Sequence, residues 1–373
     1  MNAVAPRTPP TAEAWPARPA RSNRSCLFVR PAASRDANGG DTIVYRRWAE
    51  YVSARVSIEV LELPPIGRAG QLWNVARGAP PEAARYDGAQ NRRALRAALA
   101  KRPFDLVLFA HEGAFPLGDE PALAGIRKVY FTQNLHSLIA KTDHSWAARI
   151  LQPGAARFER RWYGDLSARL LCISQADLAG LRALGIERPE VSVAPPGAPP
   201  QTPLSPSATL RPEAVVTGSY GWWRKRRDLR RLAAERPSLP VPILVRDTAA
   251  AEILRRHEKV IATRAIDWGL GVRFGIVSDR FLGGFKLKAV EYVAGNCVVL
   301  SLCDLRDEFA GLPHAEEFVR FVRSKKEMAD LIQDWLGSPD DQRIERFRIF
   351  KAACLERYDW ERCLAPLGEA LLI

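Results

Sequence analysis

The stretch Gly283-Gly284-Phe285-Lys286-Leu287-Lys288-Ala289-Val290-Glu291-Tyr292-Val293-Ala294-Gly295-Asn296-Cys297-Val298-Val299-Leu300-Ser301 decides how this chain folds. It reads as a glycine turn, a short helix, a second glycine and a buried strand. The leading glycines accept positive φ and let another molecule approach the backbone. The helix behind them points its free N–H groups back at the turn, where a phosphate can sit. Leu287, Val290 and Ala294 repeat at helical spacing and form the packing side. Lys288 and Glu291 lie one turn apart on another side. Taken alone, that pair reads first as a solvated ion pair on an amphipathic helix, contributing about 0.3 kcal/mol.

On either side of this stretch, short apolar runs alternate with helical patterns. Strands are predicted at 25–30, 56–63, 104–110, 127–132, 170–173 and from 191, then at 213–217, 241–245, 271–277 and 298–301. Helices are predicted at 43–52, 89–101, 146–165, 175–184, 226–235, 248–256, 315–336 and 340–357, with a last one from Tyr358-Asp359-Trp360. Such alternation argues parallel sheets covered on both faces. Residues 1–24 are Pro, Ala and Arg with few large apolar side chains, the composition of a disordered tail. Residues 196–212 are proline-rich and read as a stiff linker. The chain therefore divides into the tail, a first domain at 25–195, the linker, a second domain at 213–345, and C-terminal helices at 346–373.

The length of 373 residues allows two cores. The formal charge of +13 favours anionic partners: nucleotide phosphates, an anionic membrane surface or nucleic acid. Six cysteines show no CxxC spacing and mostly sit in apolar segments, which reads as reduced, buried thiols in a cytoplasmic protein. No apolar run approaches the roughly 18 residues that span a bilayer, so the chain is read as soluble or peripherally attached.

Ligands of open α/β sheets sit at the carboxyl ends of the strands. One such turn is Gly283-Gly284. Another is Thr217-Gly218-Ser219-Tyr220-Gly221-Trp222-Trp223-Arg224-Lys225-Arg226-Arg227, where a strand runs into a glycine loop and then a helix crowded with cations. Cations at a helix N-terminus oppose its dipole, which points to a bound anion or to a solvated basic face. In the first domain, His111-Glu112 and Gln133-Asn134 end strands and are candidate catalytic residues. The five histidines show no i, i+4 pairing and no HExxH, so no metal and no cofactor is expected. There is no P-loop, no Gly-x-Ser-x-Gly elbow and no Gly-x-Gly-x-x-Gly turn, which sets aside ATPase, hydrolase and simple dehydrogenase readings.

The order of these features resembles the GT-B fold glycosyltransferases, specifically the family 4 group of nucleotide-sugar-dependent enzymes. Ser174-Gln175-Ala176-Asp177 followed by Val191 to Gly197 is similar to that family's "S-x-x-D … V-x-V-x-P-x-G" passage. Thr217 to Trp222 resembles its "G-S-x-x-W" turn, and Gly284 to Gly295 its "G-x-K-x-K-x-x-E-x-x-A-x-G" donor motif. Gly39-Gly40 matches its glycine loop after the first strand, and Asp359-Trp360 its C-terminal tryptophan.

The resemblance implies two Rossmann-like parallel α/β domains facing an interdomain cleft. It also implies a donor site: Glu291 on the ribose, Ser219, Arg224 and Lys288 on the diphosphate, Lys225 and Lys286 beside them. Backbone amides near Gly284, Phe285 and Lys286 would face the phosphates or the sugar, with Gly218 in the turn and Gly39 and Gly40 closing from the first domain. Transfer would be metal-independent and retaining. Two departures stand out: Gly283 occupies the place of the family's first glutamate, eight residues before Glu291, and Gln133 that of its strand-end histidine.

The activity expected is transfer of a sugar from a nucleotide-sugar to a glycan, lipid-linked or small-molecule acceptor. Arg157, Arg160 and Arg161 beside Phe158 and Trp162 read first as a plain solvated helix face and otherwise as a face for an anionic membrane. Two other readings stay open: a GT-B nucleotide-sugar epimerase and a non-enzymatic basic binding protein. The missing aromatic–basic recognition motif counts against nucleic acid.

Overall fold

The computed structural model describes residues 23–32, 40–143, 145–188, 191–263, 265–338 and 341–372. Strands β1 (Ser25–Pro31), β2 (Ser57–Leu63), β3 (Leu106–Phe109), β4 (Arg127–Thr132), β5 (Ala168–Cys172) and β6 (Val191–Val193) form one parallel sheet in the order β2-β1-β3-β4-β5-β6. A second parallel sheet holds β7 (Leu210–Val216), β8 (Ile243–Val245), β9 (Val260–Ala262), β10 (Val272–Val277), β11 (Cys297–Ser301) and β12 (Val319–Phe321), in the order β12-β11-β10-β7-β8-β9. Helices cover both, giving the two Rossmann-like domains of a GT-B fold.

Strands β3, β10 and β11 are buried at every residue, so β3 reads as an unbroken apolar run and β11 nearly so, while β10 is interrupted by Arg273, whose guanidinium pairs with Glu213 at 2.7 Å. Strand order reverses between β1 and β3 in one sheet and between β7 and β10 in the other. Crevices open outside the carboxyl ends of strands at such reversals.

Several elements escape the sequence pattern. Strands β9 and β12 are three-residue edges, too short to show a period. The helix expected over 315–336 is instead a turn Ala315–Phe318, the strand β12 and a helix Lys325–Gly337. Ser324 starts that last helix: its hydroxyl accepts from the Glu327 amide, and Glu327 accepts from the Arg323 amide. Helices Arg68–Ala76 and His136–Thr142 were also not anticipated. All six cysteines are buried and unpaired.

The second domain has one core; the first has a core on each face of its sheet. The C-terminal crossing comes later than position 346. Phe347, Phe350 and Cys354 of helix Asp341–Arg357 are buried in the second core, whereas Leu364, Leu367 and Leu371 of helix Trp360–Leu372 are buried in the first. Trp360 marks the crossing. A Cβ on Gly197 would lie 2.4 Å from its ring, so only glycine lets the chain leaving the first domain pass beneath it.

Candidate active site

The second sheet gathers its turns around helix Leu287–Ala294. Gly218, after β7, has φ +94, and its backbone faces the Lys288 side chain, with Cε 3.9 Å from a Cβ built there. Tyr292 fixes that turn: its hydroxyl accepts from the Thr217 amide at 2.9 Å and donates to the Ile276 carbonyl at 3.0 Å. Lys288 is buried, lies over the Tyr220 ring and meets Asp279 at 3.4 Å. Glu291, half-buried, follows one turn later, and the helix start at Lys286 carries no side-chain cap. First-turn amides and a buried cation thus stand at the helix start, with a carboxylate one turn further along.

Electrostatics keep this cluster charged. Burial alone would push the Asp279 carboxyl up, but Lys288, Lys225 and Lys286 outweigh it and hold it below its ordinary range. Burial would likewise discharge Lys288, yet Asp279 raises it well above an ordinary lysine. Burial raises Glu291 against the pull of Lys288, Lys225 and Arg246. Thr217 Oγ1, at the end of β7, is buried without a hydrogen-bond partner.

Of the donor-side residues taken from the sequence, Gly218, Lys225, Lys288 and Glu291 come together here, and Ser219 follows Gly218 in the turn, its hydroxyl accepting from the Gly221 amide. Others do not. The Arg224 guanidinium pairs with the Asp143 carboxylate of the first domain and lies 3.9 Å from Glu82. Arg227 also meets Asp143, at 2.7 Å. The cation-crowded helix start therefore finds its anion in the other domain. The Gly284 amide is likewise taken, donating to both Asp177 carboxylate oxygens at 3.1 and 3.2 Å. Lys286 donates to the Gly283 carbonyl at 3.0 Å, and Phe285 packs against Tyr358. Gly40 begins helix Gly40–Ser53, and Gly39 lies outside the described residues.

In the first domain the four catalytic candidates sit at the carboxyl ends of β3 and β4. Glu112 is fully buried; it accepts from the Gln133 amide at 3.2 Å and meets His136 Nε2 at 2.9 Å. His111 lies 3.9 Å from the same carboxylate and caps the next turn through Nδ1, which accepts from Gly113. Burial opposes the Glu112 charge, but His111 and His136 hold the acid down at about 2. Burial opposes the His136 charge, and Glu112 raises it to about 9. Gln133 Nε2 donates to the Ala110 carbonyl at 3.3 Å, and Asn134 lies against Gly284.

The cleft is thus bridged at named points. Gly283 and Gly284, at φ +115 and +64, press on helix His136–Thr142 and on the end of β4. A Cβ on Gly283 would fall 2.4 Å from Ile139, so no glutamate fits there. The Ala176 amide donates to Glu308 across the same gap.

Sequence reasoning missed Asp143, Arg246 and Asp279, placed Asp177 only as part of the S-x-x-D motif, and left His136 as a histidine off register with the strand-end position. Arg246 and Asp279 lie just past the apolar runs of β8 and β10, a signal that was present. Asp143 acts across the cleft, which no local pattern encodes, and the motif that holds Asp177 does not name its partner Gly284 in the other domain. Phe158 and Trp162, read as part of a membrane face, are instead buried. Among the described residues no group of three or more His, Cys, Asp or Glu is placed to hold a metal ion, and no helix is long and apolar enough to cross a membrane.

Residues 38–202 match the model of Glycosyltransferase Family 4, that is, most of the first domain. No curated protein matches in sequence. Among solved structures, sucrose-phosphate synthase from Thermosynechococcus elongatus superposes with a TM-score of 0.67 at 14% identity, over 93% of this chain and 98% of that one. HepE from Anabaena, in complex with UDP, gives 0.60 at 15%, over 93% and 99%. The UDP-forming α,α-trehalose-phosphate synthase from Burkholderia vietnamiensis gives 0.56 at 15%, over 94% and 97%. The class is therefore the GT-B glycosyltransferase fold. Within it, the chain resembles glycosyltransferase family 4.

Proposed function

We propose that this protein transfers a hexosyl group from a nucleotide-sugar, with uridine diphosphate as leaving group, to a glycan, lipid-linked or small-molecule acceptor. The observation that carries the reading is the charged cluster of Lys288 on Asp279 beneath the Gly218 turn, with Glu291 one helical turn on. In this reading Glu291 accepts from the ribose hydroxyls. Lys288, Lys225, Ser219 and the open helix start face the diphosphate and stabilise charge as it departs, without a metal. Lys286 flanks the sugar. Arg224 reaches the phosphates only once Asp143 releases it.

The catalytic residues in this reading are His111, Gln133 and Asn134 on the first-domain side where the acceptor hydroxyl attacks with retention, with the buried Glu112 positioning them through the Gln133 amide and His136. The working location is cytoplasmic, peripheral at the inner face of the membrane. The UDP complex of the structurally similar HepE supports the choice of nucleotide.

Titration calorimetry with uridine diphosphate tests the site. Glu291→Ala is expected to weaken binding about tenfold or more, and unchanged affinity would overturn the assignment. Interconversion of the donor sugar without acceptor would mark an epimerase instead. Salt-sensitive polyanion binding with no saturable nucleotide site would mark a non-enzymatic protein.

A further inference from the structure

Two helices of the first domain leave large apolar side chains in solvent. On Arg68–Ala76, Leu72 and Trp73 are 70% and 64% exposed; on Trp146–Tyr163, Trp146 and Ile150 are 77% and 68% exposed. The helices meet at glycines. A Cβ on Gly154, midway along the second helix, would lie 3.2 Å from the Cα of Gly78, just past the first. Ile150 is about one turn before Gly154, Trp146 about one turn before that, and Trp73 little more than a turn before Gly78. Spacing along the two helices thus sets four exposed apolar side chains around the Gly78–Gly154 contact, more than the scattered apolar residues any surface carries.

Its fringe is cationic. Arg68, Arg77, Arg149 and Arg157 are all exposed. The first helix has no carboxylate, and the only one on the second, Glu159, is fully buried. Tryptophan and aliphatic side chains bordered by guanidinium groups, with no exposed acid on either helix, suit the boundary between lipid headgroups and acyl chains. A nucleic acid fits less well, because Leu72 and Ile150 offer no ring for a base to stack on.

We propose that this patch docks the protein on an anionic lipid surface. It replaces the face centred on Phe158 and Trp162, whose rings are buried. Trp146 follows by three residues the Asp143 that Arg224 and Arg227 clasp, so one end of the patch adjoins the ion pairs that bridge the two domains. The proposal gives the peripheral attachment suggested above its surface, and it is measured without turnover, so it can fail or hold independently of the reaction.

The test is co-sedimentation of the full chain with vesicles of phosphatidylcholine plus phosphatidylglycerol, against phosphatidylcholine alone. The wild type is expected to bind the anionic vesicles. The double variants Leu72→Ser/Trp73→Ser and Trp146→Ser/Ile150→Ser are each expected to bind about tenfold more weakly. Ile261→Ser, on the second domain's edge strand and also exposed, is expected to bind as wild type. Thermal unfolding checks that all variants fold. No vesicle binding, equal binding to neutral vesicles, undiminished binding by both patch variants, or equal loss in Ile261→Ser would overturn the proposal. So would a wild-type dimer in sedimentation velocity that the patch variants abolish, since the occupant would then be a second copy.

Discussion

The Asp177 carboxylate of the first domain accepts the amide hydrogen of Gly284 in the second, at 3.1 Å. The same carboxylate accepts from the Leu135 amide at 3.1 Å and from the Ser174 hydroxyl at 2.7 Å. It therefore fastens the glycine turn of the donor side to the strand end of the acceptor side. Asp177→Ala leaves those amides without an acceptor, and each buried orphan costs about 1–3 kcal/mol. Urea unfolding is expected to show a loss of at least that size. A variant as stable as wild type would mean the bridge contributes nothing.

The His136–Glu112 pair makes stability depend on pH in a defined direction. His136 titrates near 9 in the fold and near its ordinary 6.5 when unfolded, so its contribution is full below about 6.5 and lost as pH rises toward 9. Glu112, held at about 2, contributes above its ordinary 4.5 and less as pH falls below that. The stability gap between wild type and His136→Gln is therefore expected to peak between about pH 4.5 and 6.5 and to shrink by about pH 9. Unfolding titrations across that range check it; a flat gap excludes the ion pair.

Asp143 stands between two guanidinium groups, those of Arg224 and Arg227. Removing one partner of a buried pair strands the other charge and typically costs about 3–5 kcal/mol. Asp143→Ala is expected near that range, and Asp143→Ala with Arg224→Ala is expected to cost clearly less than the two single losses added. A double-mutant cycle reads the coupling directly. Simple additivity would show that the two side chains act independently.

Glycines at the two turns are expected to respond differently to alanine. At Gly284 a Cβ would lie 2.6 Å from Asn134 Oδ1 and 2.7 Å from the Gln133 carbonyl, both across the cleft. At Gly218 the nearest atom is 3.9 Å away, so only the backbone conformation is strained. Gly218→Ala is expected to cost about 1–2 kcal/mol with the domains still together. Gly284→Ala is expected to cost more and to enlarge the radius of gyration in small-angle scattering. Equal scattering from the two variants would remove the cleft contact from the account.

The reach of sequence reading differs between the two halves of this site. Strands such as Leu106–Phe109 were plain because burial on both faces demands an unbroken apolar run. Strand Val319–Phe321 was not, because three residues hold no period; the Ser324–Glu327 capping box just after it was the overlooked sign that a helix begins afresh. Lys288 and Glu291 were found because helical spacing puts them on one face, and Asp279 was within reach as a charge just past a buried strand.

Local chemistry in the chain determined the two parallel sheets, the glycine turns at their carboxyl ends, and the helix that pairs Lys288 with Glu291. Tertiary structure alone decided which charges meet. Arg224 reads from sequence as a phosphate ligand, yet the fold sets it against Asp143, 81 positions away. Gly283 reads as a missing glutamate, yet Ile139 of the other domain occupies the space its side chain would need. Periodicity records only whether a residue faces a core. The partner of a buried charge is fixed by how two separately built domains close on each other, and that closing is written in no single stretch of the chain.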